Sequence, residues 1–498
     1  MKKADFFKYY RDHGNVALSF GDVRILTGYS EVDPISVDVS SRFSRRVPLY
    51  SPISSAAMDT VTEHKMAITM ARAGGLGVIH RGLNDEMQLN EAIRVKTYLN
   101  AVIEKPVYVL STTTLEEIEN MMATKKLNFQ SFPVINSDGN VVGVITEDDF
   151  LFSQNNSVVA GTVMQKAFAP AGTTVQEAYQ IMRKKRIKAL PLVNEKGKLV
   201  KMYTLSDLNR IMNNKHDRYN VDSSGHLRVG VAIGVGDVVE HAIDLVKIGV
   251  DVLVLDTAHG NSLRVYNTLA ALKRELANYD VDIVVGNVSE GDAAKRLANA
   301  GADGIKVGQG PGSICTTRMI AGIGCPQLTA IYNCASAVEG SGIPIIADGG
   351  ISHSGDIPIA IAAGADCIMT GMLLAGTDEA PGEVIISNGI KYMSYRGMGS
   401  PGAMKNVRVA QRYGATGKDN LVPEGVEARV PYQGSAEVVI KLLEGGLRKG
   451  MGYMGVPDIR SLQDDTNFYF VTKSGMEESK PHGVSFQSTS NYSAKEGS

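Results

Sequence analysis

Ala302-Asp-Gly-Ile-Lys-Val307, followed at once by Gly308-Gln-Gly-Pro-Gly-Ser-Ile-Cys315-Thr-Thr-Arg318, is the stretch on which the reading of this chain turns. A short apolar run that ends in a glycine-rich segment reads as a β-strand delivering a loop at its C-terminal end. The pattern recurs at Pro48–Ile53, Gly75–His80, Leu227–Val235, Val250–Asp256, Val281–Asn287, Ile343–Asp348 and Ala365–Thr370, making eight runs in all. Segments of helical period lie between most of them, such as Val239–Lys247 and Leu263–Leu276. Eight β-then-α units with near-continuously hydrophobic strands predict an α/β fold, a parallel (β/α)₈ TIM barrel. A doubly wound open sheet is the rival. The count of eight favours the barrel, and so do the polar or glycine residues after nearly every strand, where a barrel carries its active site.

The second and third runs are too far apart for neighbouring units, which divides the chain into barrel residues 1–96, an insert over 97–215 and barrel residues 216–498. The insert repeats itself. Pro133-Val-Ile-Asn136-Ser-Asp-Gly139 and Thr146-Glu-Asp-Asp149 return as Pro191-Leu-Val-Asn194-Glu-Lys-Gly197 and Thr204-Leu-Ser-Asp207. Upstream, Thr114-Leu-Glu-Glu-Ile118 matches Thr174-Val-Gln-Glu-Ala178. Each half reads helix, strand, turn, strand, then a helix opened by Thr-x-x-Asp.

Composition sets limits on function. The 498 residues are 44% hydrophobic and 21% charged with a net charge of -2, so no basic field recruits nucleic acid or an anionic membrane. No run of about 18 apolar residues offers a membrane span, and the first residues do not form a secretory leader. Four cysteines without metal-ligand spacing read as reduced thiols, which predicts a cytoplasmic enzyme. Cys325, Cys334 and Cys367 read as small buried hydrophobes. Cys315 differs: its glycine-rich loop at a strand end suits a nucleophilic thiolate, with Ser313 and Thr317 supplying hydroxyls beside it. Asp348-Gly349-Gly350 and Thr370-Gly371 end the seventh and eighth strands, the usual phosphate site of a barrel, and Asp348 can accept two ribose hydroxyls. Residues 400–434, rich in glycine and charge and lacking a core period, read as a mobile flap.

With these motifs in place, the chain resembles the IMP dehydrogenase / GMP reductase family. The resemblance runs over nearly the whole chain, through Ala56-Ala-Met-Asp-Thr-Val-Thr-Glu63, Asp256-Thr-Ala-His-Gly260, Gly286-Asn287, the Cys315 loop, Ala347-Asp-Gly-Gly350, Tyr395-Arg-Gly-Met-Gly-Ser400, Gln411-Arg-Tyr413 and Leu421-Val-Pro-Glu-Gly-Val-Glu427. It implies NAD-dependent oxidation of IMP to XMP through a Cys315 adduct that water hydrolyses. Thr317 would lie beside the reacting carbon, and Arg412 and Tyr413 would activate the water. Ser313, Gly349, Gly350, Gly371 and Tyr395 would hold the phosphate, Asp348 the ribose, and Met398, Gly399 and Glu424 the base edge. Asp256, Asn287 and Gly308 would face the dinucleotide. Potassium would rest on carbonyls of Gly310, Gly312 and Cys315 with Glu478, Ser479 and Lys480 of a neighbouring subunit, and a homotetramer follows from the same resemblance. The insert resembles a tandem CBS pair, which implies adenine or guanine nucleotides on Thr146, Asp149, Thr204 and Asp207. The alternative is that the two aspartates only cap the helices that follow. Two positions depart from the family pattern. Met372 replaces a serine phosphate ligand, and Lys480 replaces the commoner residue of the cation loop. The rival enzyme is a GMP reductase, disfavoured by Arg412-Tyr413 and the insert; the rival of another class is a catalytically dead nucleotide sensor.

Overall fold

The computed structural model describes residues 1–99, 102–103, 106–125, 131–151, 153, 157–213, 218–413 and 422–483. The chain divides into two compact units, one of Met1–Tyr98 with Asp217–Ser498 and one of Leu99–His216.

The first unit is a closed barrel of eight parallel strands: β1 (Ile53–Ser55), β2 (Leu76–Ile79), β3 (Gly230–Ile233), β4 (Val252–Asp256), β5 (Asp282–Val288), β6 (Gly304–Val307), β7 (Ile345–Asp348) and β8 (Cys367–Thr370). They pair in chain order, and β8 closes on β1. The Val252-Leu-Val-Leu-Asp256 strand shows why they form: every residue is buried, because helices cover the outer face and side chains fill the inside.

The first strand begins later than its sequence suggests. Pro48–Leu49 pairs antiparallel with Ser41–Arg42 and lies outside the barrel, whereas Ile53-Ser-Ser55 forms β1. Pro52 lacks the N–H a continuous strand would need. Ser54 and Ser55 hide the strand from a hydrophobic reading, yet both are fully buried, with Ser54 Oγ donating to Ile368 O at 2.9 Å and Thr62 Oγ1 donating to Ser55 Oγ at 2.8 Å. The displaced hairpin has its own task. Its buried Phe43, Val47 and Leu49 join Val252, Val284, Ile346 and Cys367 in one core cluster and plug the N-terminal end of the barrel.

Helix Asp85–Lys96 ends on a lysine with almost no exposure. Lys96 Nζ donates to Asp222 at 2.8 Å and to Asp251 at 3.0 Å, and Arg228 reaches the other oxygen of Asp251 at 3.0 Å. The network joins the two stretches of chain that flank the second unit.

Within the second unit the repeat is visible in strand register. Pro133 faces Val144 and Ile135 faces Val141; in the second copy Pro191 faces Met202 and Val193 faces Leu199, with the same register shift in both. Gly143, where the other copy has Lys201, sits where an added Cβ would lie 2.6 Å from Gln165 O, so the first copy has no room for a side chain there.

We expect Lys96→Met to destabilise the first unit by about 3–5 kcal/mol, because Asp222 loses the ammonium and the buried Asp251 is left with Arg228 alone. Denaturant unfolding followed by tryptophan-free probes such as circular dichroism measures this, and an unchanged midpoint would refute the account.

Candidate active site

The C-terminal ends of four strands meet on one lysine. Lys306, in the middle of the otherwise apolar β6, has a side chain only 2% exposed and lies 2.5 Å from Asp348 of β7 and 3.1 Å from Asp256 of β4. It also donates to Asn287 Oδ1, while Asn287 Nδ2 donates to Asp348 at 2.9 Å and to Gly308 O at 2.7 Å. A charge removed from water requires such partners, so the network fixes both carboxylates and the amide in one arrangement. Gly308 also meets a steric requirement: at φ +149° an added Cβ would stand 2.2 Å from Asp348 O.

The Cys315 loop lies across this mouth. Cys315 Sγ is 3.2 Å from Thr317 Oγ1, which donates to Glu424 Oε2 at 2.7 Å. The backbone locks the loop to the chain beyond it: Thr316 N donates to Glu424 O, and Val426 N donates to Ile314 O, both at 3.0 Å. Glu424, expected at the base edge, is therefore also the partner of the hydroxyl beside the sulfur. An added Cβ on Gly349 would come within 3.2 Å of Pro311, which places the end of β7 against the same loop.

Tyr395 is buried, and burial pushes its phenol up despite a hydrogen bond with Ser313. A Cβ on Gly371 would lie 2.9 Å from Tyr395 Oη, so Ser313, Gly371 and Tyr395 form one pocket wall. Gly350 takes φ +87°, a backbone that few other residues adopt. Met372 opens the short helix Met372–Ala375 directly after Gly371.

Residues 400–434 are more structured than their composition suggests. They include helices Pro401–Met404 and Val407–Ala410, a 3₁₀ turn Gln411–Tyr413, and strand Glu427–Pro431 paired with Ile390–Arg396. That strand escapes a core-period reading because only Val430 is buried. Residues 414–421 of the expected flap lie outside the described residues. Arg412 bonds Asp256 Oδ2 through Nη1, and its buried Nε finds no acceptor among the described residues. Tyr413 packs with Met398, Ala403 and Val409, and a Cβ on Gly399 would lie 2.8 Å from its ring. Burial pushes the Tyr413 phenol up, with Arg412 opposing and Cys315 and Glu424 adding to the shift. Tyr413 is thus within electrostatic reach of both Arg412 and the cysteine.

Other expected residues fall elsewhere. Gly310, at φ +78°, abuts Arg318, and Gly312 O accepts from Cys315 N at 3.0 Å. Ser479 donates to Gly475 O and Lys480 pairs with Glu477, both at 2.8 Å at the end of helix Lys473–Glu478. In the second unit Thr146 Oγ1 lies 3.1 Å from Asp149, and Thr204 Oγ1 lies 2.5 Å from Asp207. Cys325 is half-exposed rather than buried, because it sits in the loop before Pro326 with its carbonyl taken by Arg318. Lys306 and Arg81 were missed in the sequence; a cation inside or directly after an apolar strand was the signal available.

Comparison with known proteins adds three findings. Residues 17–482 match the model of the IMP dehydrogenase / GMP reductase domain. An inosine-5′-monophosphate dehydrogenase of Aquifex aeolicus is 46% identical over 94% of this chain and 95% of its own length, and that of Mycobacterium tuberculosis is 44% identical over 94% and 90%. A Trypanosoma brucei GMP reductase in complex with guanosine 5′-monophosphate superposes with a TM-score of 0.83 at 38% identity, covering 95% of this chain and 99% of that one.

Thiol alkylation at mildly alkaline pH should label Cys315 first. Burial pushes Cys325 up to about 11 and raises Cys334 and Cys367 well above the ordinary thiol range too. Peptide mapping after limited iodoacetamide treatment reads the order, and earlier labelling of Cys325 would contradict it.

Proposed function

Because the chain belongs to the IMP dehydrogenase / GMP reductase family, we infer that it oxidises IMP to XMP with NAD⁺, the step that commits purines to guanine nucleotides. The observation that carries this reading is the Cys315–Thr317–Glu424 relay, with spacings of 3.2 and 2.7 Å, at one barrel mouth with Arg412 and Tyr413.

IMP would lie with its phosphate against Ser313, Gly349, Gly350, Gly371 and Tyr395 and its ribose on Asp348, whose carboxylate Lys306 holds in place. Met372 removes one hydroxyl from that phosphate shell. The base edge meets Met398, Gly399 and Glu424. The Cys315 thiolate attacks C2 of the purine; a C2–S bond forms and the C2 hydrogen leaves as hydride. Bound NAD⁺ supplies the hydride acceptor. Asp256 suits its ribose, since Oδ1 is a buried oxygen that accepts no hydrogen bond among the described residues, 3.1 Å from Lys306. Asn287 stands beside it. Arg412 occupies the other oxygen, so Arg412 and a ribose compete for one carboxylate.

In the second half a water adds to C2, the C2–S bond breaks, and Cys315 departs as thiolate. Arg412 would take the water's proton as a neutral guanidine, having left Asp256 and given its own proton to solvent beforehand; its Nε, which has no acceptor among the described residues, is the nitrogen not tied to that carboxylate. The Thr317–Glu424 pair offers a second acceptor on the sulfur side.

The structural likeness to a GMP reductase keeps a reductive deamination as the competing outcome. The decisive assay follows reduced nicotinamide by absorbance. IMP with NAD⁺ should generate it, and consumption of NADPH with GMP would assign the chain to the reductases instead. Arg412→Ala should then show a burst of about one NADH per site followed by steady turnover slowed about 10²–10⁴-fold, with the purine held on Cys315. Loss of the burst would move Arg412 to the first half-reaction.

Two further elements complete the proposal. Potassium would rest on carbonyls of Gly310, Gly312 and Cys315, completed by Glu478–Lys480 of a second copy in a homotetramer. Gly312 O has given one lone pair to Cys315 N and retains another. The second unit would be a CBS pair that binds adenine or guanine nucleotides. A cavity of about 410 Å³ lined by Ile103, Ser131, Lys188, Met202, Thr204 and Ser206 supports the site at the second copy. The mutual bonds of Thr146 with Asp149 and Thr204 with Asp207 also suit plain helix capping. One set of assays checks both: activity should fall when potassium is exchanged for a bulky cation, and nucleotide sensitivity should vanish when residues 97–215 are replaced by a short linker.

A further inference from the structure

Arg81, the second residue past β2, is buried, although nothing in the reaction so far employs it. Its guanidinium spans two elements. Nη1 donates to the carbonyl of Asp256 at the end of β4 at 3.0 Å, and Nη2 donates to the carbonyl of Arg408 at 2.6 Å. Arg408 lies in the last turn of helix Val407–Ala410, whose carbonyls have no partner inside so short a helix. Four residues after Arg408, the 3₁₀ turn presents Arg412 to the carboxylate of the same Asp256. One buried side chain thus ties the backbone that carries Arg412 to the backbone that carries its partner.

The loop from Arg81 to Asp85 reinforces the joint. Asn406 Nδ2 donates to Gly82 O, and Arg408 Nη1 reaches Asp85 at 2.5 Å and Leu83 O at 3.3 Å. Space for the guanidinium comes from Gly234 after β3, where an added Cβ would lie 2.7 Å from Arg81 Nη2. The exposed Arg408–Asp85 pair contributes little by itself. The buried, forked Arg81 has no close substitute, since it meets the two carbonyls through separate nitrogens of a rigid planar fork, and the single nitrogen of lysine cannot reproduce that span.

We infer that Arg81 is a positioning residue for the hydrolytic half-reaction: by clamping the Arg408 carbonyl to the end of β4 it sets Arg412 where the water is activated. The inference rests on the reading of Arg412 as the group that takes the water's proton. It makes no contact with IMP or with the Cys315 loop part of the argument, so thiolate attack and hydride departure should proceed without it.

The test uses the full-length protein in stopped-flow assays with IMP and NAD⁺, on Arg81→Lys, Gly234→Ala, Arg412→Ala and the double variant Arg81→Lys/Arg412→Ala. Misplacing a catalytic group by about 1 Å costs up to about 10²-fold. Arg81→Lys and Gly234→Ala should each keep a NADH burst of about one equivalent and lose about 10–10²-fold in the steady rate that follows. The double variant should hydrolyse no more slowly than Arg412→Ala, since a residue that acts through another adds nothing once that other is gone. Wild-type steady turnover in Arg81→Lys, loss of its burst, or further slowing in the double variant would each overturn the inference. Should Arg81→Lys fail to fold, Gly234→Ala, which displaces the guanidinium without removing it, decides by the same rates. An Arg412→Ala protein without a burst would refute the reading of Arg412 instead, an outcome separate from any result at Arg81.

Discussion

Lys306 cannot be buried alone. An ammonium held away from water within a barrel requires anions at close range, and here they come from the ends of β4 and β7, with an amide from β5 between them. The requirement makes one lysine the point at which four strands are brought to common register at the mouth. Asp348 and Asp256 are held in one arrangement because the same cation balances both. Removing one partner leaves a buried charge without compensation, which costs far more than the pair contributes. The arrangement therefore behaves as a unit rather than as separate contacts.

The two sides of the mouth are built differently. The Cys315 loop is held by backbone hydrogen bonds to residues 424 and 426 and by glycine approaches that leave no room for side chains. The Arg412 side is held chiefly by side chains, the fork of Arg81 and the carboxylate of Asp256, with one longer backbone bond from Ala258 N to Arg412 O at 3.3 Å. The backbone locks hold the Cys315 loop in one position.

Most of the barrel is legible in the sequence because parallel strands buried on both faces must be apolar, and seven of the eight runs lie on their strands. The eighth fails for a physical reason: Ile53-Ser-Ser55 satisfies its buried hydroxyls internally, which composition cannot reveal. The repeat in the insert is equally readable, down to the shared register shift, because turn glycines and capping threonines mark it locally. Cys315, Ser313 and Gly371 announce themselves by their glycine-rich setting. Lys306 and Arg81 do not, since a cation next to an apolar run gives no hint of carboxylates and carbonyls contributed from distant parts of the chain. The strand at Glu427–Pro431 was hidden by the same logic, with four of its five residues facing water.

The buried joint of Lys96 with Asp222 and Asp251 bears on how the chain can assemble. Strands β2 and β3 are neighbours in the barrel yet separated by the whole second unit, so closing the barrel means closing a very long loop. The entropy of such closure grows only with the logarithm of its length, each doubling adding about 0.6 kcal/mol. The insertion thus costs the barrel little in equilibrium stability. The penalty falls on time instead: the chain leaving after Lys96 must find its way back to Asp222 before the eight strands can become a ring, and non-local pairings of this kind slow folding. An insert that collapses early shortens that search, which would make the second unit an aid to barrel assembly quite apart from anything it binds.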